Sequence, residues 1–320
     1  MTTPAAPVDT VDLDPRPIPL TLLTLPSMAL KTVRAERRQH LKLDRPVKLT
    51  SRRLAHSILP SLDRPIFIIG AARSGTTFLG DCIARLPEVS YHHEPPATKA
   101  AGRYVYEHLW PEWRSRWFYR NVYGWLLRTE LEGGLRFSEK TPTNAMLIPF
   151  LDRSFHDAQF VHIVRDGRDA AASHMEKPWL RADSVGSGVR EPGGYLHGPY
   201  APWWVEADRR DEFESTTDTH RMIWAWRRYV EAALRDGPAL GPEKYLQLRY
   251  ETLVQQPRET AAQVLDFLAI TRPASRNTFT AAVERADARS IGSGLEKFDA
   301  AQLAEIEADS GELLRSLGYE

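Results

Sequence analysis

Two short polar segments in this sequence carry the residue types and spacings needed to bind phosphate groups. The first, Gly70-Ala-Ala-Arg-Ser-Gly-Thr-Thr77, follows a short apolar run and precedes a helical pattern. Glycines permit a tight turn there, and the unpaired N–H groups at a helix start point towards an anion. Hydroxyl donors and one guanidinium would strengthen such a site. We therefore predict an anion-binding loop formed by Arg73, Ser74, Gly75, Thr76 and Thr77.

The spacing of this loop is that of the nucleotide-triphosphate loop G-x-x-x-x-G-K-[ST], but Thr76 stands where that loop has its lysine. Without the lysine, magnesium-dependent chemistry at the β- and γ-phosphates is not favoured. Arg73 supplies a positive charge inside the loop instead. The loop therefore fits one anionic group better than a triphosphate chain, and an ordinary helix start without a ligand is the alternative.

The second polar segment follows another apolar run and begins at Arg165. Open α/β sheets bind ligands at the carboxyl ends of their strands, which is where this arginine would lie. Ser173 and Lys177 are four residues apart on the predicted next helix, and therefore share one face. An arginine, a hydroxyl and an ammonium group could hold a second phosphate. The alternative for Arg165 is a salt bridge with Asp166 or Asp169.

The elements that must position these residues alternate between strands and helices. A fully apolar run predicts a buried strand at 65–70, and further strands are predicted at 88–91, 135–138, 159–164 and 244–248. Helical periodicity begins at Ser74 and recurs between the strands, including residues 259–268. This alternation predicts an α/β fold with an open, mostly parallel sheet and flanking helices. Two anion sites at neighbouring strand ends would suit a nucleotide phosphorylated at both ends of its ribose.

These segments resemble the sulfotransferases that use 3′-phosphoadenosine 5′-phosphosulfate (PAPS), in particular their broad bacterial and tyrosylprotein-type branch. The resemblance rests on four elements in the family's order and covers residues 64–320. They are Arg73-Ser-Gly-Thr-Thr77, the segment from Phe160 to Ser173, Leu248-Arg-Tyr250-Glu-Thr-Leu253, and the C-terminal stretch from Ser290 to Tyr319. The resemblance implies a P-loop-like nucleotide-binding fold. It also implies that residues 73–77 bind the 5′-phosphosulfate and that Arg165 and Ser173 bind the 3′-phosphate.

The same resemblance assigns the catalytic residues. A glutamate after the second strand is the base in the tyrosylprotein-type branch, and Glu94 matches that position beside two histidines that could assist it. The small-molecule branch uses a histidine after a Lys-Thr pair, but Pro142 occupies that position here. Lys140 matches the family lysine that bridges the leaving oxygen and the transferred group. The alternatives are a surface ion pair for Lys140 and a capping or buried-pair role for Glu94, and no metal is expected.

Three further positions have open roles. Tyr250 could pack on the adenine or brace the anion loop. Arg289-Ser-Ile-Gly292 and Lys297 fall where the family closes a C-terminal segment over the nucleotide. Their spacing is looser than that of the other motifs.

Composition excludes several other classes of protein. The 320 residues include 42 Lys+Arg and 42 Asp+Glu, and zero net charge argues against binding nucleic acid. The single cysteine, Cys82, excludes a disulfide scaffold and cysteine-based metal clusters. No apolar run is long enough to span a membrane, and no signal peptide is recognisable. We therefore expect a cytoplasmic protein.

The chain is predicted to divide into an N-terminal part, residues 1–60, and a main domain, residues 61–320. Residues 1–19 contain five prolines and read as a flexible arm. Residues 31–53 are basic, which predicts a solvated helix face packed on the main domain and leaves open a peripheral membrane or partner contact.

Two segments rich in aromatic residues interrupt the strand–helix alternation. Residues 104–125 could be core or could line an acceptor site. Residues 178–217, rich in glycine and proline, are predicted to form a lid over the acceptor.

The predicted function is transfer of the sulfuryl group of PAPS to a hydroxyl of a glycan, lipid or specialised metabolite, with Glu94 as base. The alternatives are a P-loop kinase or nucleotide hydrolase, which needs the missing lysine, and a non-catalytic nucleotide-binding protein. Dependence of binding on the 3′-phosphate, as opposed to ATP with magnesium, would discriminate between them. The sequence does not define the acceptor or the oligomeric state.

Overall fold

A computed structural model of the chain describes residues 60–129 and 135–319, together with residues 20–34 apart from 22, 25 and 33. The strands in these ranges are β1 (Ile66–Ile69), β2 (Val89–His93), β3 (Arg136–Lys140), β4 (Gln159–Val164) and β5 (Tyr245–Arg249). The α-helices are α1 (Thr76–Ile83), α2 (Pro96–Tyr106), α3 (Glu112–Thr129), α4 (Ile148–Ser154), α5 (Gly167–Met175), α6 (Arg210–Ser215), α7 (Asp218–Asp236), α8 (Tyr250–Gln255), α9 (Pro257–Phe267), α10 (Pro273–Val283), α11 (Ser293–Lys297) and α12 (Ala300–Ser316). Short 3₁₀ helices lie at Pro142–Leu147, Ala182–Ser184, Ala207–Arg209, Pro238–Leu240 and Ala288–Ser290.

The five strands form one sheet in the order β2-β3-β1-β4-β5, and every pair is parallel. This confirms the predicted α/β fold, and each strand overlaps its predicted position. Strands buried on both faces read as continuous apolar runs, and β1, Ile-Phe-Ile-Ile, is completely buried. Because β1 is central, the loops that follow β3 and β4 both lie next to the loop that follows β1.

Side chains of β1 alternate between two hydrophobic cores, one on each face of the sheet. Phe67 and Ile69 belong to the larger core, which includes buried residues of α3 and α7. Ile66 and Ile68 belong to the smaller core, which includes buried residues of α1, α9 and α10. With both faces covered, only the strand ends and the loops beyond them are open to a ligand.

The first aromatic segment, residues 104–125, is mainly core. Tyr119 and Tyr123 of α3 are fully buried, and the Tyr123 ring lies 4.3 Å from the Phe137 ring of β3, measured between centroids. Trp113 and Trp117 point away from the core and are 71% and 62% exposed. Of the two interpretations of this segment, the structure therefore favours core.

The described part of the N-terminal region packs on the main domain. Leu20 and Met28 are buried in the larger core, and the backbone N–H of Leu20 donates to the Tyr104 hydroxyl at 3.1 Å. The predicted arm, residues 1–19, lies outside the described residues, as does the basic segment 31–53 apart from residues 31, 32 and 34. Among the described helices, none has the length and apolar composition needed to cross a membrane.

Candidate active site

The predicted anion loop connects β1 to α1 and has a tightly constrained backbone. Gly75, the residue before α1, has φ +92°, and a Cβ added there would lie 2.5 Å from Cδ2 of Tyr250. Arg73 also has a positive φ, +69°, which is uncommon for a residue with a side chain. The Tyr250 ring therefore packs on the loop backbone, which corresponds to the bracing role considered for this residue.

One buried polar group inside this loop lacks a hydrogen-bond partner among the described residues. Ser74 is fully buried, and its hydroxyl has no hydrogen-bond partner among the described residues. Burial and the nearby charge of Arg165 lower the pKa of the Arg73 guanidinium. An unpartnered buried hydroxyl is unfavourable unless a ligand or water completes its hydrogen bonds. The loop thus has the chemistry of a site for an anion.

The two predicted anion-binding segments meet at the neighbouring ends of β1 and β4. Nε of Arg73 donates to the Ser173 hydroxyl of α5 at 3.1 Å, and Arg165 donates to the Arg73 carbonyl oxygen at 3.2 Å. The Arg165 guanidinium lies 4.8 Å from the centre of the Tyr250 ring. Four of the predicted residues, Arg73, Arg165, Ser173 and Tyr250, are therefore in one connected cluster.

Of the two alternative salt bridges of Arg165, the one with Asp169 is present. Arg165 lies 3.5 Å from the Asp169 carboxylate, whereas Asp166 pairs with Arg168 at 2.6 Å. Asp169 has stronger partners, because it accepts the backbone N–H groups of Gly292 and Gly294 at 2.9 and 2.6 Å.

Those bonds join the C-terminal segment to α5, close to the second anion site. Lys297 of the same segment pairs with Glu176 at 2.8 Å. Arg289 instead points outwards, 91% exposed, and pairs with Asp287.

Lys177 is not on the same helix face as Ser173, and that prediction is wrong. Helix α5 ends at Met175, and Glu176 caps it. The residue after Lys177 is Pro178, and a proline disfavours the helical conformation of the residue before it. Lys177 therefore lies in the turn beyond the helix.

The predicted catalytic pair lies at the ends of β2 and β3. His93 and Lys140 are register partners, and the backbone N–H of Glu94 donates to the Lys140 carbonyl oxygen at 2.9 Å. The Lys140 ammonium group donates to Oε1 of Glu94. Lys140 is 2% exposed, so its pairing is not the surface ion pair considered as the alternative. The buried-pair alternative for Glu94 does describe the geometry. To accept a proton as a base, Glu94 must therefore first be released from the Lys140 ammonium group.

A second lysine holds the other oxygen of Glu94. Lys99 of α2 donates to Oε2 of Glu94 at 2.9 Å and to Glu191 of the 178–217 segment at 3.0 Å. Burial raises the pKa of Glu94, but the charges of Lys140 and Lys99 outweigh it and hold that pKa well below its usual range. Burial lowers the pKa of Lys140, and Glu94 opposes that shift. Glu94 is therefore ionised at neutral pH but weakly basic while both lysines contact it.

The two histidines of the Tyr91–Pro95 segment face opposite sides of the sheet. His93 lies beside Glu94, with Nε2 3.9 Å from Oε1, and burial lowers its pKa to about 4. His92 is fully buried on the other face, where Nε2 lies 2.8 Å from the Ser90 hydroxyl. Of the two, only His93 is placed to assist Glu94.

A cavity of about 330 Å³ joins the anion loop to the catalytic pair. Its lining includes Arg73, Thr76 and Thr77 of the loop region, together with His93, Glu94 and Lys140. Much of the remaining lining comes from the predicted lid, and all five aromatic residues singled out in that segment contribute: Trp179, Tyr195, Tyr200, Trp203 and Trp204.

Sequence reasoning missed several residues of this cavity. They are Lys99, Thr143, His174 and Glu191. Lys99 is one of only eight lysines in the chain and follows Glu94 by five residues. This rarity and proximity are the sequence features that could have indicated its place in the site. His174 lies one residue after Ser173, and burial lowers its pKa to about 3. Within the described residues, no cluster of histidine, cysteine and carboxylate side chains could hold a metal ion.

The fold and the site define an α/β protein with an anion-binding loop, a basic cluster and a carboxylate–lysine pair around one cavity. The chain matches the sulfotransferase family model over residues 65–186 and 200–274. It therefore belongs to the sulfotransferase family. Among curated proteins, no sequence matches this chain.

Several solved structures are similar. Sulfotransferase STF9 from Mycobacterium avium is 12% identical with a TM-score of 0.54, over 92% of this chain and 84% of that one. The sulfotransferase domain of the Synechococcus PCC 7002 olefin synthase is 17% identical with a TM-score of 0.45, over 81% and 96%. Mouse SULT7A1, solved with PAP, is 12% identical with a TM-score of 0.42, over 83% and 90%. At 12% identity, the similarity to STF9 supports the fold of this chain and nothing about its activity.

Proposed function

We propose that this protein transfers the sulfuryl group of PAPS to the hydroxyl of an acceptor bound under the 178–217 lid. The observation that carries the proposal is the hydrogen bond between Arg73 and Ser173, which joins the two anion loops beside the Glu94–Lys140 pair. A donor with phosphate groups at both its 3′ and 5′ positions would engage both loops at once. Family membership supports the reaction class.

The residues fit such a donor. The unpartnered Ser74 hydroxyl, the backbone of residues 73–77 and the Arg73 guanidinium would bind the 5′-phosphosulfate. Arg165 and Ser173 would bind the 3′-phosphate, with Tyr250 holding the first loop in place.

The proposed reaction is an in-line displacement at sulfur. Glu94 accepts the proton of the acceptor hydroxyl as the new bond between sulfur and the acceptor oxygen forms. The bond between sulfur and the phosphate oxygen breaks, and Lys140 stabilises the negative charge left on that oxygen. The products are a sulfate ester, the protonated carboxyl group of Glu94, and 3′-phosphoadenosine 5′-phosphate (PAP).

The Glu94–Lys140 contact gives the base a means of activation. A bound phosphosulfate would compete with Glu94 for the Lys140 ammonium. Because that ammonium lowers the pKa of Glu94, its withdrawal raises the basicity of the carboxylate. Donor binding would then make Glu94 a better base at the moment it is needed.

Calorimetric titration with PAP, AMP and ATP, with and without magnesium, tests the donor assignment. We expect binding of PAP at micromolar concentrations, much weaker binding of AMP, and no effect of magnesium. Binding of ATP only with magnesium would overturn the proposal and favour a phosphoryl-transfer enzyme. Tight binding of PAP with no transfer to any acceptor would favour a nucleotide-binding protein without activity.

Replacing Arg165 or Arg73 by alanine should raise the dissociation constant for PAP about 10- to 100-fold, because each removes a charged hydrogen-bond donor. Arg258→Ala is the control, since Arg258 is 78% exposed, pairs with Glu284 and is not among the residues of the cavity. Unchanged PAP affinity in both site variants would show that the nucleotide binds elsewhere.

A further inference from the structure

One lysine in the wall of the cavity is held between two carboxylates that come from different parts of the chain. Lys99 of α2 donates to Oε2 of Glu94 at 2.9 Å and to Oε2 of Glu191 in the lid at 3.0 Å. All three side chains are largely buried. Burial lowers the pKa of Lys99, but the charges of Glu191 and Glu94 outweigh it and raise that pKa above its usual range. Lys99 is therefore charged at neutral pH.

The backbone positions of Glu94 and Lys99 are fixed by the body of the domain. Glu94 has φ +45°, which is uncommon for a residue with a side chain, and its backbone N–H donates to the Lys140 carbonyl oxygen. Lys99 lies in the first turn of α2, where its own N–H donates to the Pro95 carbonyl oxygen at 3.0 Å. Of the three groups, Glu191 is therefore the one that can move away.

Glu191 lies in a small hairpin of the lid, residues 189–197. Its backbone N–H donates to the Tyr195 carbonyl oxygen at 2.8 Å, and its carbonyl oxygen accepts the Gly194 N–H at 2.9 Å. These backbone hydrogen bonds stay within the lid. A two-stranded hairpin alone is marginally stable in water. The hairpin therefore depends for its order on contacts with the body of the domain.

Lys99 supplies one such contact through both its stem and its charge. A Cβ added at Gly193 would lie 3.1 Å from Cγ of Lys99, so the turn of the hairpin packs directly against the lysine stem. The ammonium group at the end of that stem then pairs with Glu191. Packing and charge thus hold the same turn at the same place.

We propose that Lys99 is a positioning residue that fastens the lid and couples lid closure to the basicity of Glu94. When the lid is closed, Lys99 divides its charge between the two carboxylates. When the lid opens, Glu191 leaves and Lys99 interacts with Glu94 alone, which stabilises the ionised carboxylate and weakens it as a base. Closure over an acceptor restores the shared arrangement. The role of Glu94 as the base is taken from the proposed function.

The coupling must act in both directions, because it is a free-energy difference between the open and closed states. If closure makes Glu94 easier to protonate, protonation of Glu94 must favour closure. A protonated carboxyl group has no net charge with which to hold Lys99, so the lysine then interacts more strongly with Glu191. After proton transfer to Glu94, the lid is therefore held shut until the proton has been released.

Other titratable groups surround this trio. Those around Glu94 are Lys140 and Glu139 of β3, His93 of β2, and Asp81 of α1, which acts on His93 and Lys140. Tyr229 of α7 lies within range of both Glu94 and Glu191, and His197 of the lid lies within range of Glu191. Lys99 donates to both carboxylates and is therefore the group through which the lid and the base are joined.

Backbone hydrogen exchange of the hairpin tests the latch without nucleotide or acceptor. In Lys99→Met and in Glu191→Gln, the amides of Glu191, Gly194 and His197 should exchange about 10- to 100-fold faster, because a charged hydrogen bond has been removed. The double variant should exchange no faster than the faster single variant, since both substitutions remove the same contact. The amides of β4 provide the internal reference for an intact fold.

Asp183→Asn is the matched control for Glu191→Gln. Asp183 is also a lid carboxylate, but its partner is Arg181 of the same lid, so hairpin exchange should be unchanged in this variant. Unchanged exchange in both Lys99→Met and Glu191→Gln, or equal acceleration in Asp183→Asn, would overturn the latch. If Lys99→Met does not fold, Glu191→Gln decides alone, because its substitution lies on the lid.

Glu94→Gln tests the coupling, since the amide imitates the protonated carboxyl group. Hairpin exchange should be about 5- to 10-fold slower in this variant, because Lys99 then interacts with Glu191 without a competing charge. A purely structural role for Lys99 predicts faster exchange, because one of its two anchors has been removed. In the Lys99→Met background, the same substitution should have no effect. Unchanged or faster exchange in Glu94→Gln would overturn the coupling.

Failure of the latch and failure of the proposed function have different signatures. If PAP does not bind to the unaltered protein, the donor assignment fails, whereas the exchange rates still decide whether Lys99 fastens the lid. If PAP binds at micromolar concentrations and the variants leave hairpin exchange unchanged, the donor assignment stands and the latch is overturned.

Discussion

Turnover of the Lys140→Met variant is expected to be about 10²- to 10³-fold lower than that of the unaltered protein, the usual cost of removing one donor that stabilises developing negative charge. Methionine keeps the long unbranched stem of lysine in this buried position and deletes only the ammonium group. PAP affinity should change far less, since Arg73, Arg165 and Ser173 supply the other proposed phosphate contacts. Single-turnover measurement of sulfate-ester formation, with PAP titration alongside, separates the two effects.

The matched control is Lys244→Met. Lys244 pairs with Asp152 at 2.8 Å just before the start of β5, at the opposite end of the sheet. Its replacement should leave turnover unchanged. If Lys140→Met retained more than a tenth of the original rate, the charge on the departing oxygen would have to be stabilised by another residue, and Arg73 would be the next candidate.

Glu94→Gln should lower turnover about 10²- to 10⁴-fold, the typical contribution of a positioned general base. The amide keeps the shape of the side chain but cannot accept a proton. Donor binding should respond in the opposite direction, because Lys140 no longer has a competing carboxylate. PAP affinity should therefore be unchanged or somewhat higher while the rate falls.

Glu107→Gln is a close control for this variant. Glu107 accepts hydrogen bonds from Arg103 and Arg210, and its side chain is 20% exposed against 18% for Glu94. It lies outside the cavity lining, so its neutralisation should not affect the rate. Full activity in Glu94→Gln would transfer the proton-accepting role to His93, which is neutral above its pKa of about 4.

The fold could be predicted because a parallel sheet covered on both faces leaves a local signature. Two of the inner strands, β1 and β4, are short runs that are largely apolar, and the anion loop directly follows β1, the most apolar of the five. The same signature does not define where each strand ends. Strand β2 continues to His93, two residues past its predicted end, because His92 and His93 pair with Glu139 and Lys140 of β3.

The parts of the site that were missed depend on contacts between distant segments. Glu191 meets Lys99 across 92 residues of chain, and no local pattern reports that pairing. The role of the aromatic segment at 104–125 was also undecided, because helical spacing alone does not say which face of α3 is buried. For Lys177, in contrast, the sequence does hold the local signal. Pro178 disfavours a helical conformation at Lys177, so the four-residue spacing from Ser173 does not place the two residues on one helix.

The central position of β1 has a consequence for how the protein folds during synthesis. Ile66 pairs with Ser138 on one side and with Gln159 on the other, so β1 has no neighbour until β3 has left the ribosome and is not paired on both sides until β4 has followed. Until then, an uncharged Ile-Phe-Ile-Ile segment is available to other nascent chains. Pairings of such high sequence separation also form slowly. Slower expression at reduced temperature should therefore increase the soluble yield, and the anion loop and Lys140 will acquire their geometry together, in one late step.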